Sequence, residues 1–373
     1  MHAGGVTVVA AENYPLTQSR TMTATPLAFA DPPLRAVNPP TLDVLSDVLR
    51  AVRLTGAVFL NSRLTAPFAI TTPKRYDPSM PMARLRHVSM FHLIVSGELT
   101  IETASGRRQR LTAGDLALLP FSAEHKLWNG EPTEFVSAAN LCRPGPLDGL
   151  WSIDHGGGGV VTRMVCGYIE SSEFLFAPVF RTLPELLIEH TADETVGALI
   201  AFTVSEILSL LDRATPGAHV MLGRMMEVLF VEMLRRHGER LSAGRAGWLG
   251  ALNDAIVARA LQLLHADPAR KWNVADLARE AGTSRTVLAE RFNELLGRPP
   301  IEYATCWRIQ LAADRLRNGR EAIAAIAADV GYESEAAFAR AFKRLTGFSP
   351  GRWRDGDADS AELMPLQLKR SLV

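Results

Sequence analysis

The chain has 373 residues, 47% of them apolar and 21% charged, with 40 basic and 40 acidic side chains. That balance fits a globular protein of two or three domains and holds no basic excess that would by itself point to nucleic acid. No apolar run approaches the ~20 residues that cross a bilayer. Cys142, Cys166 and Cys306 are odd in number, far apart and in no C-x-x-C pair, which argues against a disulfide framework or a zinc knuckle.

Residues 1–40 are rich in Thr, Ala and Pro and end at Asn38-Pro39-Pro40, the pattern of a disordered leader. They lack the basic start and compact apolar core of a secretory signal, so a cytoplasmic protein without a membrane segment is expected. Met22 is an alternative start. Leu42, Leu45, Leu49 and Val52 recur at helical spacing and predict a short helix over 42–54. The rest of 41–190 reads mostly as short strands. "GAVFLNS", "FHLIVSGELTIET", "RQRLTAGDLALLP" and "EFVSAANL" set β-branched and apolar residues between turn residues, at a spacing that predicts a sandwich or barrel. Gly156 to Gly159 form a flexible loop. The three cysteines read as buried free thiols, with a redox sensor as the other reading.

Over 191–245 the period becomes helical. Leu199, Phe202, Leu208 and Leu211 mark one helix, and Pro216-Gly217 breaks it. A second helix over Val220 to Arg236 carries Met221, Met225, Val228, Leu229 and Met233. Two adjacent apolar helices suggest an antiparallel pair that either covers the barrel or forms a homodimer surface. "HGERLSAGRAGW" (237–248) is a linker, everything beyond it is helical to Thr346 within a domain over 250–355, and 356–373 form a loose tail.

The helical part repeats itself. Leu277 pairs with Ile326, Ala278 with Ala327 and Gly282 with Gly331, at an offset of 49. Ser284 then pairs with Ser334, Leu288 with Phe338, Phe292 with Phe342, Gly297 with Gly347 and Pro300 with Pro350, at an offset of 50. Each unit has the logic of a helix-turn-helix. A small residue lets two helices approach, glycine permits the turn, and serine caps the second helix. Asn273-x-x-Asp276 resembles a capping box at the first start. A helix from Ile301 to Asn318, ~25–27 Å long, spaces the units so that two recognition helices could sit about one DNA turn (~34 Å) apart. Residues 251–355 carry 16 Lys and Arg against 13 Asp and Glu, a weak electrostatic footprint for a DNA binder.

On these residues the C-terminal hundred positions resemble the AraC/XylS family DNA-binding domain. The second unit restates the family signature with Ile326-Ala327, Val330-Gly331-Tyr332, Ser334, Phe338, Phe342-Lys343 and Gly347-x-Ser349-Pro350-x-x-Trp353-Arg354. The resemblance implies a transcription regulator whose base-reading positions are Arg285, Thr286, Ala289 and Glu290 in the first unit. In the second they are Glu335, Ala336, Ala337 and Arg340, beside the cap Ser334. Arg340 is the candidate for a bidentate guanine contact. Arg285, Lys343 and Arg344 either grip phosphates or remain solvated. Glu290 departs from the Arg or Gln often found there and either accepts from a cytosine N4 or leaves the first unit a weak reader. Ala322 replaces the cap serine of many members, at a cost of ~1 kcal/mol.

The strand region resembles the cupin sensor domain of many such regulators. "GDLALLPFSAEHKLWN" fits the second cupin motif through Gly114, Pro120, His125 and Asn129, with Ser122 in place of the middle glycine. Metal-holding cupins need two His, a Glu and a further His. Here the Glu position falls on Met90 and the first two His positions near Arg84 and Arg86, with His87 and His92 out of phase. No metal, no cofactor and no catalytic residue are therefore expected. His125, His92, Trp128 and Phe59 are the candidate ligand-binding residues. The expected architecture is α+β multidomain: a cupin-like β-barrel, a helical linker or dimerisation region, and an all-α domain of two helix-turn-helix units joined by a long helix. The expected partners are double-stranded promoter DNA, a small-molecule effector, a second copy of the chain and, for an activator, RNA polymerase. A cupin enzyme with an appended DNA-binding domain and a signal-independent regulator with a structural barrel are the competing readings.

Overall fold

The computed structural model describes residues 43–356 except 53, 73–87, 121–122, 132–133, 146–149, 172–182, 191–197, 214–215 and 243–245. The leader, Leu42, Arg84, Arg86, His87, Ser122 and the tail beyond 356 lie outside them, as do the side chains of Val52, Leu199 and Leu211. Helix α1 (Val44–Val52) leads into strands β1 (Leu54–Thr65), β2 (Phe68–Thr72), β3 (Val88–Ser96), β4 (Glu98–Thr103), β5 (Arg108–Thr112) and β6 (Asp115–Leu119). After β7 (His125–Asn129) and β8 (Val136–Ser137) come α2 (Ala138–Leu141), β9 (Arg143–Pro144), β10 (Trp151–Gly156), β11 (Val161–Ser171) and β12 (Leu187–His190). Two sheets result, in the orders β12-β6-β3-β11-β1-β10-β9 and β5-β4-β7-β2-β8.

The larger sheet is buried on both faces, which is why "SMFHLIV" reads as an unbroken apolar run rather than an alternation. Met90 and Ile94 of β3 face the barrel interior with Leu64, Ile70, Ile101, Leu127 and Met164. Phe91 and Leu93 point the other way, into a core shared with the helices. Phe59 and Leu60 are consecutive yet both lie in the interior cluster, because the β1–β11 register shifts between Val58 and Leu60. The strand expected over "EFVSAANL" is only partly present. Pairing stops at Ser137, and Ala138–Leu141 forms a helical turn.

Helix α3 (Ala198–Arg213) packs on α4 (Ala218–Arg240), which covers the outer face of the larger sheet at β1 and β11. The contact is backbone against backbone. A Cβ on Gly223 would stand 2.4 Å from the Gly56 carbonyl oxygen, and one on Gly56 would stand 2.2 Å from that of Gly223. The Gly56 N–H donates to Glu227 Oε1 at 3.2 Å. Gly223→Ala therefore has to separate α4 from β1, an overpacking cost of ~1–3 kcal/mol, read as a fall in the melting temperature of the purified protein. An unchanged melt would mean that the two backbones do not touch.

The burial of α4 corrects the expected apolar face. Leu222, Met226, Leu229, Phe230, Met233 and Leu234 are buried, whereas Val220 is 66%, Met221 49% and Val228 41% exposed, and Phe202 of α3 is 62% exposed. Apolar residues run round most of α4, so periodicity alone allows two phases. The glycine contact selects the one containing Leu222 and Met226.

The C-terminal domain contains α5 (Trp248–Ala251), α6 (Ala255–Ala266), α7 (Val274–Glu280), α8 (Arg285–Leu296), α9 (Pro300–Asn318), α10 (Ile323–Asp329), α11 (Glu335–Thr346) and α12 (Pro350–Arg354). Helix α9, ~28 Å long at 19 residues, runs through the domain with Tyr303, Trp307, Ile309, Ala312, Ala313 and Leu316 buried. Its first half packs with the first helix-turn-helix and its second half with the second. Helix α1 docks on this domain too, where Gln310 Nε2 donates to the Ala51 carbonyl at 3.0 Å.

Candidate nucleic-acid interface and barrel interior

Both recognition helices begin the same way. The Ser284 hydroxyl accepts the Val287 N–H and the Ser334 hydroxyl accepts the Ala337 N–H, each at 3.2 Å, satisfying one orphan donor per helix. Asn273 Oδ1 accepts the Asp276 N–H at 2.9 Å at the start of α7. Ala322 starts α10 with no side-chain cap, so the second unit's first helix lacks the bond its counterpart has. Gly282 and Gly331, at φ of 72° and 87°, make the turns, and Gly297 and Gly347 end the recognition helices in the same left-handed conformation.

Burial sorts the recognition helices into two faces. Leu288, Phe292, Leu295 and Leu296 of α8 are buried, as are Phe338 and Phe342 of α11. Arg285, Thr286 and Glu290 are exposed on one helix, with Ala289 half-buried. Ser334, Glu335, Ala336, Arg340, Lys343 and Arg344 are exposed on the other, with Ala337 half-buried. Several other cations of the domain are held in ion pairs: Arg270 to Glu280, Arg291 of α8 to Asp254, and Arg315 to Glu321 and Asp329. Among the described residues no ion pair involves Arg285, Arg340, Lys343 or Arg344. Helix α11 carries the basic excess, with Arg340, Lys343 and Arg344 against Glu335, whereas α8 balances Arg285 and Arg291 against Glu290 and Glu294.

Of the candidate ligand-binding residues, Phe59 and His92 line a barrel cavity of about 30 Å³, and His125 stands directly behind His92. Trp128 does not join them. Strand β7 alternates His125 and Leu127 inward with Lys126 outward, and Trp128 packs outside against Phe135 and the Arg108 guanidinium. The cavity wall also includes Leu64, Met90, Cys142, Met164 and Cys166, and among the described residues no nitrogen or oxygen atom is exposed to it. Its polar groups are already paired, as where the Ser62 hydroxyl donates to the Met164 carbonyl at 2.9 Å.

The histidine pair is part of a directed chain. His125 Nδ1 lies 2.8 Å from the Ala123 carbonyl oxygen, which can only accept, so Nδ1 carries the proton and Nε2 is bare. The Thr72 hydroxyl donates to the His125 carbonyl at 3.0 Å and accepts at 2.8 Å from the same Nδ1–H. His92 Nε2, 2.8 Å from His125 Nε2, must then be the donor, which leaves His92 Nδ1 bare towards the Cys166 thiol at 3.0 Å. Protons therefore point from Cys166 to His92 to His125 to Ala123. Burial keeps both rings neutral, His125 down to about 4 and His92 well below the usual histidine value, and the buried Cys166 thiol is pushed up. Sequence reasoning missed Cys166 and Thr72. The signal was the cross-strand register Cys166↔His92, which pattern alone does not reveal. Met90 stands where the Glu of metal-holding cupins belongs, and among the described residues no three His, Cys, Asp or Glu are placed to hold a metal ion.

A cupin family model matches residues 43–239, more than half of the chain, and a helix-turn-helix domain model matches 277–356. The chain is 46% identical over 158 residues to a putative AraC-like transcription regulator of Streptomyces lividans. The chain belongs to the AraC/XylS-type regulators with an N-terminal cupin domain. That first relative is matched over 41% of this chain and 52% of its own length, so the chain spans about half of it. The AraC-type similarity extends further in the HTH-type transcriptional regulator AlkR of Acinetobacter baylyi, 28% identical over 70% of this chain and 86% of that one. Among solved structures, unsaturated fatty acid bound ToxT from Vibrio cholerae is 15% identical over 81% of this chain and 96% of that one, with a TM-score of 0.31. No helix among the described residues of this AraC-type chain is long and apolar enough to cross a membrane.

Proposed function

We propose that the chain is a sequence-specific DNA-binding regulator of transcription, an activator, controlled by a signal sensed in the cupin barrel. It divides into a sensor over 41–190, a helical pair and linker over 191–245 and a DNA reader over 250–355, and it works in the cytoplasm as a regulator rather than an enzyme. The observation that carries this is the pair of serine-capped helices whose outward cations have no internal partner. Arg340 reads a guanine in the major groove, while Lys343, Arg344 and Arg285 hold phosphates. The exposed Phe202, Val220, Met221 and Val228 support a homodimer through α3 and α4, since the inner face of α4 already covers the sheet. As an activator bound to promoter DNA it contacts RNA polymerase.

The test is a comparison of affinities for genomic fragments, beginning with the chain's own upstream region, at two salt concentrations. Arg340→Ala weakens binding to the specific fragment by ~1–3 kcal/mol, about 5- to 150-fold, and barely affects random DNA. Lys343→Ala weakens binding to both alike and lowers the salt slope by about one. Equal loss on specific and random DNA for Arg340→Ala would remove it as a base reader.

A further inference from the structure

The two recognition helices differ in charge at matching positions. The repeat offset of 50 sets Glu290 against Arg340, Asn293 against Lys343 and Glu294 against Arg344, and all six are exposed. It also sets Val287 against Ala337. At 38% exposure Val287 is the one exposed large hydrophobic side chain among the described residues of the helical domain. Val287, Glu290 and Glu294 are spaced by three and four residues and so share a face, away from the buried Leu288, Phe292 and Leu295. Arg291 is held by Asp254 at 3.2 Å, and among the described residues no ion pair involves Glu290 or Glu294.

A face of this kind adds little grip, because non-specific affinity for a duplex comes from cations on phosphates. It can still select bases. In the major groove guanine offers N7 and O6 acceptors, thymine an O4 acceptor, and adenine an N6 donor beside an N7 acceptor. Cytosine offers its N4 donor with no acceptor next to it. A carboxylate therefore pairs well with cytosine and is repelled by the acceptors of the other three bases. The C5-methyl of thymine is the apolar group of the groove. An isopropyl side chain, stiff at χ1, meets it with little rotamer freedom to lose.

We propose that α8 reads a cytosine through Glu290 and a neighbouring thymine methyl through Val287, so that the first unit selects the site while α11 supplies the grip. Side chains three residues apart on a helix stand about 5–6 Å apart, and base pairs stack ~3.4 Å apart. The two bases thus lie within about two steps of each other. Repulsion between Glu290 and the phosphates is offset only where the carboxylate finds a cytosine N4–H, which turns an unfavourable charge into discrimination. The inference rests on the regulator reading above and adds to it the bases that one half-site must contain.

The full-length protein is titrated onto the genomic fragment it binds most tightly and onto random DNA, as wild type, Glu290→Ala, Glu290→Gln and Val287→Ala, each checked by its melting temperature. Glu290→Ala is expected to weaken the specific complex about 5- to 150-fold. It should bind random DNA no more weakly than wild type, because it takes a negative charge away from the phosphates. A residue that merely held the helix together would lower both. Glu290→Gln is expected to move the preferred base at one position from cytosine to adenine, whose N6 and N7 suit a glutamine amide. Replacing thymidine by deoxyuridine, one position at a time, removes a single methyl. One such replacement is expected to weaken wild type about 4-fold and to leave Val287→Ala unaffected. Equal weakening on specific and random DNA by Glu290→Ala, or a base preference that Glu290→Gln does not move, overturns the role of Glu290. Deoxyuridine effects that are identical in wild type and Val287→Ala overturn that of Val287. A wild type that prefers no fragment brings down the regulator reading itself, whereas a wild type and variants that select one fragment equally well bring down this inference alone.

Discussion

Phe342→Ala is expected to unfold the second helix-turn-helix unit while the barrel stays folded. Phe342 is fully buried, with the Phe338 ring 5.5 Å and the Trp353 ring 5.6 Å from its own. It sits in the core cluster formed by Ile309, Leu316, Ile326, Ala327, Val330 and Phe338. Truncating a buried Phe to Ala costs ~3–5 kcal/mol, a large part of the ~5–15 kcal/mol that holds a whole domain. The cluster is separate from the barrel interior, so the loss is local. Hydrogen exchange measures it: amides of α10 and α11 lose protection, and those of β3 and β11 keep theirs. Specific DNA binding goes with it. Arg340→Ala, whose side chain is exposed, weakens specific binding without moving the protection pattern. If Phe342→Ala left α11 protected, the cluster would not be the core of the unit.

The second large effect is a loss of stability as pH falls from 7 to 5. His265 is buried, stacked on Trp307 with ring centres 4.1 Å apart, and its Nε2 lies 2.9 Å from the Tyr303 hydroxyl. Burial lowers its pKa to about 3, and the Asp47 carboxylate, 3.8 Å from Nδ1, does not reverse that. His125 is lowered to about 4 for the same reason. An unfolded histidine titrates near 6.5, so between these values and 6.5 the unfolded chain binds more protons than the folded one. The stabilisation is complete above about pH 6.5 and is lost as pH falls, by ~1.4 kcal/mol per unit for each ring. At pH 5 that amounts to ~2 kcal/mol for each of these two rings, and the buried His92, also held well below the usual histidine value, adds to the drop. Urea midpoints at pH 7 and 5 test it. His265→Gln keeps an acceptor for Tyr303, cannot titrate, and should recover ~2 kcal/mol of the drop. A midpoint independent of pH would mean that neither ring is held neutral.

The helix-turn-helix units were legible because their determinants are local. Ser284, Ser334, Gly282 and Gly331 act within a few residues of their place in the chain, and the spacing of Phe338 and Phe342 matches one helical face. The barrel was legible as a class but not in detail. Two neighbours, Phe59 and Leu60, both face inward because of a bulge that depends on the partner strand. Trp128, placed on sequence with His125, faces outward because β7 alternates from His125. The chain from Cys166 through His92 to His125 joins residues 74 and 33 positions apart and exists only once β3, β7 and β11 are in register. On α4 the difficulty was the opposite one, too much apolar pattern. Met221 and Val228 look as buried as Leu229 until Gly56 and Gly223 settle the rotation. Nor does any periodicity announce that α1 docks on α9 through Ala51 and Gln310.

The most direct measurement is hydroxyl-radical footprinting of the full-length protein on its highest-affinity DNA fragment. Two helix-turn-helix units held by one rigid helix predict two protected patches on one face of the duplex, centred about one helical turn (~34 Å) apart. Arg340→Ala should weaken one of them. A single patch, or protection that does not depend on DNA sequence, would contradict the account.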